Sequence, residues 1–160
     1  MKRITILLAA LVVSGALGLP QVAAAAEGRA TAGAGGTYPP GTSFTGVTVN
    51  ALQLGTGAEV NLDNSGLGQF TAVLLGISYL GQEQNITIEG EVTGGSRTAN
   101  VVVLSGSSTL DLGDGTPPTP GVPFTATLTS NGSGLGTVGL VVGVTNLPNA
   151  TLNAGSLTIE

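Results

Sequence analysis

The stretch NSGLGQFTAVLLGI, Asn64 to Ile77, returns later in the chain as GSGLGTVGLVVGV, Gly132 to Val144. In both copies a Ser-Gly-Leu-Gly run opens into aliphatic and β-branched residues, without the i, i+3, i+4 stripe that a helix would bury. Gly66 and Gly68, or Gly134 and Gly136, permit positive φ in a turn, while Gly76, Gly139 and Gly143 allow close sheet approach or bulges. Each copy therefore reads as a turn feeding a buried β-strand. A phosphate-cradling loop is the competing reading, but no helix start and no basic residue follows the glycines.

Working outward, two more matches keep the same order. YPPGTSFTG (Tyr38 to Gly46) recurs as TPPTPGVPFTA (Thr116 to Ala126), and ITIE (Ile86 to Glu89) recurs as LTIE (Leu157 to Glu160). Three matches in one order predict an internal duplication, with two halves related by a pseudo-two-fold axis and sharing one core, because halves this small are marginal as separate folds.

Between these landmarks the pattern has period two. In NITIEGEV the residues Ile86, Ile88 and Val92 share one face and Thr87, Glu89 and Glu91 the other. In PFTATLT, Phe124, Ala126 and Leu128 oppose Thr125, Thr127 and Thr129, and in TVGLVVGVT the residues Val138, Leu140, Val142 and Val144 line up. Further strands are expected over Val47 to Leu54, Ala58 to Leu62, Thr98 to Leu104, Ser108 to Leu112 and Ser156 to Glu160. They are separated by the turn signals GTG, DNSG, GG, SGSS, GDGTPPTPG, SNGSG, NLPN and NAG. About ten short strands imply an all-β, two-sheet β-sandwich of Ig-like, Greek-key type, since one open sheet of that size leaves an apolar face in water. An outer-membrane barrel is the rival, and it calls for aromatic girdles in a chain with only 3% aromatic residues.

The N-terminus has the order of a secretory signal peptide. Lys2 and Arg3 precede an apolar run from Ile4 to Leu19, and Pro20 and a small-residue stretch place the cut after Ala26. The run is shorter than a bilayer-spanning helix requires. The expected organisation is a signal peptide over 1–26, a flexible Gly/Pro-rich leader over 27–43, and a single β-sandwich domain over 44–160. The mature protein is then secreted, extracellular or periplasmic, with no membrane span after cleavage.

Composition narrows the chemistry. Beyond the signal segment there is no His, Cys, Lys or Trp, so Ser-His-Asp and Cys-His relays, zinc and copper sites, Schiff bases and P-loops lack their residues. Two basic side chains, Arg29 and Arg97, stand against nine acidic ones, a formal charge of −7 that repels nucleic acid and anionic lipid.

The polar cluster with most chemical content is LDLGDGTPPTPG, where Asp111 and Asp114 bracket Gly113. Carboxylates on a Gly-rich loop offer hard oxygen ligands to Ca²⁺, with Asp63 and Asn64 as further donors if the related turns lie side by side. The spacing completes no EF-type loop, and Asp-Gly turns demand the same residues. Glu89 and Glu91, two apart on a strand, approach the carboxylate separation of glycosidases, yet Tyr38 and Tyr79 are the only tyrosines available as sugar platforms. The expectation is a secreted, non-catalytic structural or cell-surface protein without a cofactor. A ligand-binding or adhesion module, supported by calcium at Asp111 and Asp114, is the alternative, and a carboxylate-only hydrolase comes third. Its partners would lie on a cell surface or matrix, and the chain would be a monomer or weak oligomer. Neither the leader nor SLTIE looks free for donation to a neighbour's sheet.

Overall fold

The computed structural model describes residues 27–160, so the predicted signal peptide over 1–26 lies outside the described residues. Nine β-strands and no helix make up the described chain: β1 (Gly28–Thr37), β2 (Ser43–Phe44), β3 (Val47–Val60), β4 (Ser65–Ile77), β5 (Glu83–Thr98), β6 (Val101–Asp111), β7 (Thr119–Ser130), β8 (Gly136–Val142) and β9 (Thr145–Ile159). Strands β3 to β9 run as an antiparallel up-and-down meander. β1 then inserts between β9 and β3 and pairs with both, from Ala30↔Ile159 to Thr37↔Thr151 on one side and from Gly28↔Val60 to Thr37↔Ala51 on the other. The result is a closed eight-stranded antiparallel barrel with β2 as one extra short strand on β3.

This corrects the two-sheet sandwich. A sheet with one apolar face can cover that face with a second sheet or by curling until its edges meet, and closure leaves no long edge unpaired. The curling goes unseen in the sequence because the strand that completes it lies in the stretch read as a flexible leader. In GRATAGAGGT the inward residues are Ala30, Ala32 and Ala34, while Arg29, Thr31 and Gly33 face out. The alternation is present, but it is written in alanine and glycine, which carry little hydrophobic signal.

The strands are also fewer and longer than expected. GTG runs on inside β3, SGSS inside β6, and NLPN and NAG inside β9. The GG pair at Gly94–Gly95 lies in β5 beside a register shift against β6. In a barrel these glycines let long strands bend and coil, which in isolation looks like chain reversal. The opposite error occurs in TVGLVVGVT, where the chain reverses at Gly143 (φ 59°) and leaves Val144 fully exposed between β8 and β9.

The duplication fares unevenly. The two Ser-Gly-Leu-Gly runs lead into β4 and β8, which stand four strands apart around the eight-membered ring, and the two Pro-Pro segments connect β1 to β3 and β6 to β7. The ITIE and LTIE segments do not correspond, since one lies near the start of β5 and the other at the end of β9.

The interior is apolar. Phe70, Leu74, Ile86, Ile88, Leu104, Leu128 and Leu140 are fully buried, and the rings of Phe70 and Phe124 stack with centroids 4.9 Å apart and 18° between planes. Gly90 sits opposite Phe70 in the β4–β5 register, and a Cβ there would lie 2.6 Å from Cε1 of Phe124. The absent side chain is the space the ring occupies. Outward positions of β3 and β5 carry Thr48, Asn50, Gln53, Glu59, Thr87, Glu89 and Glu91, whereas β4 and β6 also turn Val73, Leu75, Ile77, Val101 and Val103 outward, so the outer wall is mixed in polarity. No helix among the described residues is long and apolar enough to cross a membrane.

Candidate functional site

Strand direction sorts the polar residues between two rims. β3 descends to the turn that holds Asp63, whereas β6 ascends to the connection that holds Asp111 and Asp114, so these carboxylates lie at opposite ends of the barrel. The structure thus keeps Asp63 and Asn64 away from the proposed calcium loop.

Within that loop each aspartate is engaged by its own turn. The backbone N–H of Gly113 donates to Oδ1 of Asp111 at 2.8 Å, and Oδ1 of Asp114 accepts from the N–H of Thr116 at 2.9 Å and from its hydroxyl at 2.6 Å. The hydroxyl and then the amide of Thr116 hold the Asp114 carboxyl below its ordinary range. Ser65 does the same for Asp63 through bonds of 2.6 and 3.0 Å. Asn131 repeats the pattern in the β7–β8 turn, accepting from the hydroxyl and N–H of Ser133 at 2.8 and 3.0 Å. These are side-chain-closed turns of the kind Asp, Asn, Ser and Thr form at chain reversals. Among the described residues no group of three or more His, Cys, Asp or Glu side chains is placed to hold a metal ion.

Glu89 and Glu91 project from β5 into solvent. Their cross-strand neighbours are Thr71 and Thr109 for the first, and Gln69 and Ser107 for the second. The pair lies on the outer wall, flanking Gly90, whose inner face meets the rings of Phe70 and Phe124 inside the barrel.

The two tyrosines divide sharply. Tyr79 is 87% exposed at the tip of the β4–β5 hairpin. Tyr38, just past β1, is 7% exposed, and among the described residues its hydroxyl has no hydrogen-bond partner. Burial pushes its pKa up to about 12.

Around Tyr79 three connections meet in a rim groove of about 530 Å³, lined by Thr45, Tyr79, Leu80, Gln82, Glu83 and Asp114 among others. The Nε2 of Gln84 donates to the carbonyl of Leu112 at 2.8 Å and ties the β4–β5 hairpin to the β6–β7 connection. Thr45 has φ 48°, uncommon for a β-branched residue, in the two-residue turn from β2 to β3. The sequence offers each of these residues separately but gives no sign that they meet, because their proximity depends on barrel closure.

The chain matches no family model, no curated protein and no solved structure. Its own geometry therefore carries the functional reading. The rim groove combines one aromatic face with amide and carboxylate groups.

Proposed function

We propose that this chain is an exported, non-catalytic structural or surface-associated protein that acts through the outer wall and rims of its barrel. The supporting observation is the distribution of charge. From Thr119 to Ile159 the sequence has no charged residue, so β7, β8 and β9 carry none, whereas Glu59, Asp63, Glu83, Glu89 and Glu91 lie on β3 to β5 and their turns. On the uncharged side Thr129, Thr137 and Thr151 stand in one cross-strand row over β7, β8 and β9, which continues to Thr37 at the end of β1 remote from its one charged residue, Arg29. A packed barrel with one acidic side and one neutral, hydroxyl-rich side has its chemistry in what it touches.

Cell fractionation with N-terminal sequencing tests this reading. The expected species begins at Glu27 and is found in the surface or extracellular fraction. An intracellular protein that retains residues 1–26 would refute it.

A ligand-binding or adhesion module is the second reading, and the rim groove favours it because Tyr79 is the single exposed aromatic side chain among the described residues. Loss of surface or matrix attachment on Tyr79→Ser, with folding unchanged, distinguishes it from the first.

A further inference from the structure

The seam closed by β1 differs from the rest of the barrel. β1 is paired to β3 along its whole length and to β9 from Ala30 to Thr37 with one register shift at Gly35/Gly36, but the side chains it sends inward are only Ala30, Ala32 and Ala34, followed by the buried backbone of Gly36. Its attachment is therefore mainly backbone hydrogen bonding, which any chain presenting the same β3 and β9 edges supplies equally well. Withdrawing it would leave a slot bounded by two long strand edges, with Leu52, Leu54 and Leu157 behind them.

One cost of the closed form lies in the segment just after β1. Tyr38 is buried there with its hydroxyl unpartnered among the described residues, a condition that native proteins generally avoid. Pro39 and Pro40 follow and interrupt the pairing to β3, which resumes at β2 after the N–H of Val49 donates to the carbonyl of Thr42 at 2.9 Å. When two copies trade one strand, every contact outside the connecting segment is reproduced, so the balance between closed monomer and exchanged pair is set mainly by that segment and by concentration.

We propose that β1 is an exchangeable strand, leaving its own barrel in concentrated protein to fill the β3–β9 slot of a second copy, with the crossover made by Tyr38–Thr42. Exchange frees the Tyr38 hydroxyl to meet water while each barrel stays closed. The inference goes beyond the surface reading, since it holds equally for a structural protein and for a binding module.

The chain has no cysteine, so introduced pairs report without background. Gly33 on β1 and Gly55 on β3 are register partners, and a Cβ at either position meets nothing within 4 Å. Purified single variants Gly33→Cys and Gly55→Cys are mixed at high concentration, warmed to just below melting, cooled and oxidised. A covalent product containing one chain of each kind is expected, in the dimer fraction by size exclusion with light scattering. The double variant Gly33→Cys/Gly55→Cys in dilute solution should close within one chain, which verifies that the cysteines meet. If the double variant closes and the mixed singles yield no cross-chain product at any concentration, exchange is overturned. Tyr38→Phe removes the unpartnered hydroxyl and should shift the equilibrium toward monomer by about fivefold or more. A dimer fraction indifferent to that substitution would overturn the connecting segment as the cause.

Discussion

Substituting Ala30 by aspartate tests barrel closure directly. Ala30 is fully buried and faces inward between Ala58 of β3 and Ile159 of β9, while the adjacent Thr31 faces solvent. A carboxyl enclosed among apolar neighbours has its pKa raised by about 3 to 5 units. At pH 7 the unfolded chain gains the ionisation that the native barrel refuses. From an ordinary value near 3.9 up to pH 7 is about 3 units, or about 4 kcal/mol at 1.36 kcal/mol per unit. The sign follows from the raised native pKa: this loss is absent below about pH 4 and grows as pH rises. What remains in acid is the steric cost of a larger side chain, about 1 to 3 kcal/mol. At pH 7 the two costs add to about 5 to 7 kcal/mol, so urea unfolding should show the midpoint lowered by about 2 to 7 M, given slopes of about 1 to 3 kcal/mol per molar for domains. Thr31→Asp should change stability by no more than about 0.5 kcal/mol. Equal, small effects at the two positions would refute β1 as a barrel strand and restore the flexible leader.

Gly90→Ala should destabilise by about 1 to 3 kcal/mol because its methyl group meets the Phe124 ring, whereas Gly33→Ala, with open space around it, should be close to neutral; thermal melts of the two variants decide this. The Tyr38 phenol, with its native pKa pushed up to about 12, should cost stability between about pH 10 and 12, where the unfolded chain ionises and the native barrel does not. The loss should reach about 2 to 3 kcal/mol in denaturant titrations across that range and disappear in Tyr38→Phe. Millimolar calcium should leave the melting midpoint where a chelator leaves it, because Asp111 and Asp114 are engaged by their own turns. A calcium-dependent rise would show by mass action that the native protein binds the ion, and its loss on Asp114→Asn would place the site in the loop.

Several features were legible in the residues themselves. The alternation in NITIEGEV and PFTATLT identified Ile86, Ile88, Phe124, Ala126 and Leu128 as core, and all five are buried. Period-two burial is a local property that large side chains announce. The Asp-Gly turn was equally readable, since Asp111 and Asp114 each bond within two residues of themselves. β1 was not legible, because Ala30, Ala32 and Ala34 become a buried face only between β3 and β9. The Tyr79 groove was hidden for the same reason, its walls coming from three connections that only closure brings to one rim.

By itself the sequence determined an all-β chain, its main inward residues, its acidic balance and the reaction types for which it lacks side chains. Whether the apolar faces would be covered by a second sheet or by curvature of one sheet was decided in the tertiary structure. That choice rests on long-range pairing of the strand edges, with β1 bridging β9 and β3. Pairing across such distances is specified by backbone groups that every residue except proline carries alike.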